Sequence, residues 1–315
     1  MSSSKKMAVL LLAHGSPDSV KDVPEFLLQV TLGRALPPDV VEEVIRRYGL
    51  IGRSPLTELT MRQGELLSGE LGLPVYVGMR NWKPFIRAAA GKMVADGVEH
   101  AVVICLAPQN SRTSVGLYRS ALGPESDLPF SVDFVESWHD HPLLIKAFAE
   151  KLAAGLARAR AENGSSVPVI FTAHSVPERT ILEGDAYETQ AKKTAELVAA
   201  GASLSGEDWR FAFQSQGMSG GPWLGPTVEE TILVLKAEGC SGVFVQPIGF
   251  LCDHVEVLLD IDIAFKKFAD AEGMRLWRAG SLNESPSLTA ALADIVKSRT
   301  TRATNHLLAS APANG

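Results

Sequence analysis

The sequence has few cysteines, no excess of positive charge and no long apolar segment, and each shortage argues against a class of protein. Cys105, Cys240 and Cys252 form no close pair, which argues against disulfides, cysteine metal clusters and an iron–sulfur cluster. The net charge of -6 provides no global positive field to attract nucleic acid. No apolar stretch reaches the roughly 18 residues that span a bilayer. We therefore expect a cytoplasmic protein with no transmembrane segment and no nucleic-acid partner.

Two short stretches of the chain nearly repeat each other. "VLLLAHGSP" ends at Pro17 and "VIFTAHSVP" ends at Pro177, and about half of the chain lies between them. Each is an apolar run followed by Ala-His, a nearby serine and then proline, which closes the run as a turn. The repeat predicts two buried strands that end at equivalent histidines, His14 and His174.

The repeat extends along the whole chain as an alternation of two kinds of segment. Amphipathic stretches of helical period separate eight apolar, β-branched runs, which predict strands at 7–13, 74–79, 101–107, 130–136, 168–173, 209–214, 243–248 and 275–277. Strands that alternate with helices form parallel sheets covered on both faces. We therefore predict an α/β protein of two similar doubly wound lobes, each with a four-stranded parallel sheet flanked by helices. The lobes are expected at 1–140 and 141–300, with a disordered tail at 301–315.

The predicted topology gives the two histidines a functional position. Ligands of such sheets bind beyond the carboxyl ends of the strands, so His14 and His174 should border one cleft between the lobes. The first two strands are about 60 residues apart in the first half but only about 35 in the second. The surplus, at about 20–54, combines apolar residues with arginines. This composition suits a large, flat, apolar ligand that carries carboxylates at its edge.

An acidic segment follows the third predicted strand of the second half. We expect Asp253 to cap a helix on which Glu256 and Asp260, four residues apart, share one face. A neutral imidazole beside such carboxylates can take a divalent cation from water and accept protons. The alternative is an ordinary capped helix with a solvated acidic face, and His174 alone is equally compatible with a packed, hydrogen-bonded side chain.

Several motifs resemble those of ferrochelatases over residues 6–295. The second half carries "FTAHSVPE", "GDAYETQ", "FQSQGMSGGPWLGP" and "VQPIGFLCDHVEVLLDID", and the first half carries "RRYGLIGRSPL", "GMRNWKPFI" and "VESWHDHP". The resemblance implies the two-lobed class II chelatase fold with its active-site cleft between the lobes. It also implies a lyase of heme biosynthesis that inserts Fe²⁺ into a free-base porphyrin and releases two protons. Its details are similar to the bacterial type that converts coproporphyrin III to coproheme.

The resemblance assigns roles to individual positions. It implies that His174 and Glu256 are catalytic, and that Asp260 joins them in handling the metal. The porphyrin contacts that it implies come from both the 20–54 insertion and a later helix: Arg47, Tyr48, Ser54 and Tyr118. His14 stands where the coproporphyrin type has a tyrosine that ligates the product iron. Because imidazole also ligates iron well, we expect His14 to be a porphyrin-facing axial ligand.

The cofactor and partner predictions follow from the same resemblance. It implies no permanently bound cofactor, Fe²⁺ as a substrate, a porphyrin substrate and a heme product. It leaves room for transient contact with neighbouring heme-pathway enzymes, and we expect a monomer. Three alternatives stay open at this point: a ferrochelatase specific for protoporphyrin IX, a chelatase that inserts cobalt or nickel into sirohydrochlorin, and a non-catalytic two-lobed binding protein of the periplasmic type. The long insertion and "PWLGP" argue against the second, and the His174/Glu256 pair argues against the third.

Overall fold

The computed structural model describes residues 6–216 and 220–309, which form two four-stranded parallel sheets. The first has the order β2-β1-β3-β4 and the second the order β6-β5-β7-β8, so the two lobes share one topology. The strands are β1 Met7–Ala13, β2 Val75–Met79, β3 His100–Cys105, β4 Ser131–Val135, β5 Val169–His174, β6 Trp209–Gln214, β7 Gly242–Pro247 and β8 Arg275–Arg278. All eight predicted strands and the two-lobed parallel architecture are confirmed.

Helices flank both sheets. In the first lobe and the crossover they are α1 Val23–Val30, α2 Pro38–Ile51, α3 Leu56–Leu71, α4 Ile86–Ala95, α5 Val115–Leu122 and α6 Pro142–Asn163. In the second lobe they are α7 Glu178–Leu182, α8 Tyr187–Gly201, α9 Val228–Ala237, α10 Val255–Leu258, α11 Lys266–Ala271 and α12 Pro286–Ala309. A π-helix, Asp260–Phe265, joins α10 to α11. No helix in the described part of the chain is long and apolar enough to cross a membrane.

The central strand of the first sheet explains why such runs are continuously apolar. Successive side chains of a strand point to opposite faces, and helices cover both faces of this sheet. Leu10 and Leu12 therefore join one buried cluster, with α4 and α5, while Val9 and Leu11 join another. The second of these clusters continues into the other lobe, where it includes Phe171 of β5. The two lobes thus share a core, and that core fixes the walls of the cleft between them.

The last helix ties the second lobe back to the first. α12 packs against α3, and Lys297 Nζ lies 3.2 Å from Glu70 Oε1, while Arg299 Nη1 lies 2.9 Å from Asp133 Oδ1. The disordered tail predicted at 301–315 is corrected for residues 301–309, which continue α12. No glycine or proline interrupts the chain between Pro286 and Pro312, so nothing ends the helix at 301. Residues 310–315 lie outside the described part of the chain.

The insertion predicted at about 20–54 forms α1 and α2, which stand over the carboxyl ends of the first sheet. An aromatic cluster anchors it, because the ring of Phe26 meets those of His14, Tyr48 and Trp82 edge to face, with centroids 6.0, 6.4 and 6.2 Å away. Such edge-to-face contacts stabilise by about 0.5–1.5 kcal/mol each beyond the area they bury. The insertion therefore forms one wall of the cleft.

Candidate active site

The two repeated histidines occupy equivalent places and line the same cleft. His14 directly follows β1, and His174 is the last residue of β5. His14 Nδ1–H donates to the carbonyl of Gly15 at 2.9 Å, and His174 Nδ1–H donates to the carbonyl of Ser175. Each ring is thus held at Nδ1 by the residue that follows it, and the partners of the two Nε2 atoms differ.

Glu256 lies between two imidazoles. Its Oε1 is 3.5 Å from His174 Nε2, and its Oε2 is 3.3 Å from His254 Nε2. His254 is oriented by its own Nδ1–H, which donates to the carbonyl of Cys252 at 3.0 Å. His174 and Glu256 are predicted from the sequence, whereas His254 is not. The sequence signal for His254 is its position two residues before Glu256.

The pair of His174 and Glu256 is an ion pair at neutral pH. Desolvation alone would lower the pKa of His174, but the charge of Glu256 and its hydrogen bond, with the Ser175 carbonyl, raise that pKa to about 9. Desolvation would likewise raise the pKa of Glu256, yet His174 and His254 hold it well below its usual range. His174 therefore carries a proton at neutral pH, next to a carboxylate.

The acidic segment differs from the predicted capped helix. α10 begins at Val255 with His254 as its N-cap residue, and Asp253 instead accepts hydrogen bonds from Ser281 Oγ at 2.7 Å and Asn283 Nδ2 at 2.8 Å. The prediction that Asp253 caps the helix is therefore wrong, because tertiary partners engage its carboxylate first. Past α10 the backbone widens into the π-helix, as the 2.9 Å bond from Ala264 N to the Leu259 carbonyl shows.

Asp260 opens the π-helix and faces the cleft beside Glu256. Its carboxylate accepts a hydrogen bond from Ser215 Oγ. Burial raises the pKa of Asp260, and the neighbouring Glu256 charge adds to that rise, although Ser215 opposes it. Among residues 6–216 and 220–309, no group of three or more His, Cys, Asp or Glu side chains is gathered closely enough to hold a metal ion.

His14 differs from His174 in what its Nε2 contacts. The side-chain amide Nδ2 of Asn81 donates to His14 Nε2 at 3.0 Å, and the Asn81 backbone N–H donates to the His14 carbonyl at 2.9 Å. Desolvation lowers the pKa of His14, so its ring is neutral, with the proton on Nδ1. The Nε2 lone pair that His14 would need as an axial ligand accepts the Asn81 hydrogen bond. The structure thus pairs a protonated histidine on one lobe with a neutral one on the other.

The other predicted contact residues also line the cleft. Arg47 and Tyr48 come from α2, Ser54 from the turn after it, and Tyr118 from α5. Arg47 Nε also lies 3.0 Å from Glu43 Oε1 and is half exposed. Tyr48 and Tyr118 are buried, and burial raises the pKa of both, that of Tyr48 to about 12. Both phenols are therefore neutral hydrogen-bond donors.

The cleft is large and lined by both lobes. Its volume is about 940 Å³, which is at the upper end of the range for small-molecule sites. Apolar side chains such as Leu27, Val30 and Val44 line it together with hydroxyl and amide groups. One wall carries imidazoles and carboxylates, and the opposite wall is the insertion. The site can hold a large planar ligand with the acid–base groups facing its plane.

Comparison with known proteins agrees with this geometry. A family model described as ferrochelatase matches residues 6–300. A ferrochelatase of Acidobacterium capsulatum is 55% identical over 309 residues, covering 93% of this chain and 94% of that protein. A coproporphyrin III ferrochelatase of Bacillus pumilus is 33% identical, covering 93% of this chain and 96% of that protein.

Among solved structures, SirB of Bacillus subtilis with Fe³⁺ shares the fold. It has a TM-score of 0.58 and 12% sequence identity, and the alignment covers 93% of this chain and 94% of that chain. This likeness shows the chelatase architecture alone, since the sequence identity is low. The family assignment depends instead on the sequence matches, which span nearly the whole chain.

Proposed function

This chain belongs to the ferrochelatase family, an enzyme family that inserts iron into porphyrin, and from that premise we propose that its substrate is coproporphyrin III and its product coproheme. The relatives named as coproporphyrin III ferrochelatases, at 32–33% identity, support the proposal. These names give the substrate of the relatives and not of this chain. Support for the same substrate in this chain comes from its own cleft.

That observation is the presence of hydrogen-bond donors on both sides of the first strand. Arg47 and Ser54 belong to the insertion that connects β1 to β2, whereas Ser111, Thr113 and Ser114 follow β3, which pairs with the other edge of β1. Coproporphyrin III carries propionates around its whole ring, while protoporphyrin IX places vinyl groups at one edge. Ser111 Oγ already donates to Asp185 Oδ2 at 3.1 Å and lies 2.8 Å from Thr113 Oγ1, so on that side a propionate would provide an acceptor for the Ser114 hydroxyl, which a vinyl group would not. Donors on both sides therefore favour the porphyrin with more carboxylates.

In the proposed reaction, His174 and Glu256 act on one face of the porphyrin. Two pyrrole protons must leave, and Fe²⁺ must exchange its water ligands for four ring nitrogens. A porphyrin held bent by contacts at its rim exposes the nitrogen lone pairs and N–H groups toward a base, so binding at the rim lowers the barrier at the centre. His174 Nε2 and the Glu256 carboxylate provide that base, and His254 contacts the same carboxylate.

The stored proton on His174 gives the steps an order. Fe²⁺ that approaches past Asp260 and Glu256 is attracted by their charge and repels the imidazolium proton. That proton leaves through Glu256 to solvent, and His174 Nε2 then has one lone pair. The lone pair ligates iron until the ring nitrogens take the metal and afterwards accepts one pyrrole proton, while the Glu256 carboxylate accepts the other. On the opposite face His14 ligates the product iron, once its Nε2 exchanges the Asn81 amide for the metal. The metal residues of this scheme are His174, Glu256 and Asp260.

The test is anaerobic Fe²⁺ insertion into coproporphyrin III and protoporphyrin IX, measured side by side on the full chain. We expect kcat/KM to be at least about tenfold higher for coproporphyrin III, which corresponds to about 1.4 kcal/mol, or one charge-assisted hydrogen bond. A third reaction with sirohydrochlorin and Co²⁺ serves as the control for a related chelatase activity. Equal or reversed preference between the two porphyrins would overturn the substrate proposal and leave the ferrochelatase activity intact.

A further inference from the structure

The π-helix that carries Asp260 is an unusual element that needs a restraint. Wide helical turns of this kind are rare and mostly occur as single-turn bulges inside α-helices. Here six residues, Asp260–Phe265, adopt this geometry directly after the four-residue helix α10 that carries Glu256. Neither α10 nor the π-helix is long enough to be stable by itself. The position of Glu256 and Asp260 in the cleft must therefore be held from outside this segment.

Arg278, the last residue of β8, contacts both ends of that segment. Its Nε lies 2.7 Å from Asp262 Oδ1 and its Nη2 lies 2.9 Å from Asp262 Oδ2, which is a two-pronged pair. Its Nη1 lies 3.2 Å from Asp253 Oδ1. Asp262 belongs to the π-helix, and Asp253 precedes α10. One guanidinium thus joins the chain before Glu256 to the chain after Asp260.

The arrangement is rigid for three reasons. Only 14% of the Arg278 side chain is exposed, so water screens the contacts weakly. The planar guanidinium fixes the direction of each hydrogen bond, which a lysine ammonium does not. Asp253 is itself held by Ser281 and Asn283, so the anchor does not move with the helix. The bridge therefore restrains the segment between its two carboxylates.

We propose that Arg278 is a positioning residue for iron insertion: by bridging Asp253 and Asp262 it holds the π-helix open and keeps Glu256 against His174. Arg278 acts through the segment that it restrains and touches neither porphyrin nor iron. The inference rests on the proposed role of Glu256. Without the bridge, the wide turn relaxes toward ordinary α-helical hydrogen bonding. Loss of the extra residue of the Leu259–Ala264 turn rotates the chain after the turn by about 100° relative to the chain before it, which disrupts the packing that sets Asp260 beside Glu256.

The test compares Arg278→Met and Arg278→Lys with wild type in the full chain. For Arg278→Met we expect kcat for iron insertion to fall by about 10–100-fold, as is typical for residues that orient reactive groups. The KM for porphyrin should stay within about twofold, because the predicted contacts with the porphyrin rim come from α2 and α5 of the first lobe. Backbone amides of 255–265 should exchange with deuterium at least about tenfold faster. Arg278→Lys should recover only part of kcat, since it keeps the charge but not the two-pronged geometry.

Arg210→Met is the matched control. It removes another arginine–carboxylate pair, in which Arg210 Nη2 lies 3.1 Å from Glu238 Oε2, at the start of β6 and outside the cleft lining. Either a kcat like that of this control, or unchanged exchange at 255–265, would overturn the inference. If Arg278→Met fails to fold, Asp262→Asn removes the two-pronged partner with little change in shape and is judged by the same criteria. If Glu256→Gln inserts iron at the wild-type rate, the proposed function of Glu256 is refuted. If Glu256→Gln is inactive but Arg278→Met behaves like wild type, only the role of Arg278 is refuted.

Discussion

Replacing Glu256 with glutamine tests the coupling on which the proposed chemistry depends. The substitution keeps the shape of the side chain and removes its charge, 3.5 Å from His174 Nε2. The carboxylate favours the imidazolium, so its loss should lower the pKa of His174 from about 9. Desolvation, which opposes protonation, then acts on His174 with less compensation.

The size of the change follows from the separation and the exposure of the two groups. Unit charges 3.5 Å apart interact by about 5 kcal/mol at an effective dielectric constant of 20, and by about 1 kcal/mol in water. The side chains of His174 and Glu256 are 32% and 36% exposed, so solvent screens the pair and an intermediate value of about 2 kcal/mol applies. This corresponds to a decrease of about 1.5 pH units in the pKa of His174. We therefore expect His174 to titrate near or below about pH 7.5 in the variant.

The assay is an NMR titration of the histidine Cε1–H signals, with the His174 signal assigned from its disappearance in His174→Ala. Iron insertion followed against pH gives a second readout. If neutral imidazole is the base, the rate rises with pH in the wild type and its midpoint moves to lower pH in Glu256→Gln. The plateau should nevertheless fall by about 10²–10⁴-fold, the usual effect of losing a positioned acid–base group.

Glu229→Gln provides the control, because it removes another carboxylate that lines the cleft. It should leave the His174 titration unchanged. The reasoning is refuted if His174 titrates within about 0.3 pH units of wild type in Glu256→Gln, or if Glu229→Gln lowers its pKa equally.

The same His174–Glu256 ion pair predicts how the free energy of unfolding changes with pH. The pKa of His174 is higher in the folded chain, about 9, than its ordinary value of 6.5. Its contribution to the free energy of unfolding is therefore complete below pH 6.5 and is lost as the pH rises toward 9. Thermal unfolding at several pH values should show this loss in the wild type and a smaller one in Glu256→Gln.

Three further predictions concern the walls of the cleft. His174→Ala should abolish insertion, while circular dichroism and porphyrin fluorescence show that folding and porphyrin binding persist; substantial turnover would remove His174 from the mechanism. The iron product should show nitrogen ligation. His14→Tyr should convert the spectrum of that product to one with a tyrosinate charge-transfer band, while insertion largely continues. An unchanged iron spectrum in His14→Ala would instead make His14 a structural residue, held by Asn81. Arg47→Met should raise the KM for coproporphyrin III by about three- to tenfold, the effect of a partly screened charge-assisted hydrogen bond. Arg46→Met, which breaks a pair with the same Glu43, is its control, and an equal effect of both would show that Arg47 has no special contact.

The eight strands and the two lobes could be predicted from the sequence because the sheets are parallel and covered on both faces. Such strands read as continuous apolar runs, and each histidine falls at the carboxyl end of one of them. The repeat of Ala-His therefore indicated both the topology and the position of the cleft. Glu256 and Asp260 are four residues apart in the sequence. This spacing, together with the family motifs, indicated that their two carboxylates line the cleft.

Other features depended on contacts between distant parts of the chain. Asn81 follows the carboxyl end of β2 and reaches His14 from there, and Arg278 reaches Asp262 from β8. The spacing of residues in the sequence therefore marks neither partner. Asp253 has the residue type of a helix cap, but tertiary partners held in place by the fold compete for its carboxylate. The sequence after residue 300 contains no glycine or proline before Pro312, so no local signal marks an end of α12 before Ala309.

The local apolar pattern and the direction of the chain are enough to predict which residues are buried in strands and which reactive side chains stand at the strand ends. The protonation and the pairing of those side chains depend on tertiary contacts. The proton on His174 depends on a carboxylate 82 positions away in the sequence, and the neutral state of His14 depends on burial and on its own lobe's loops. Charge and desolvation act through space at distances of a few ångströms, and the chain order does not encode those distances.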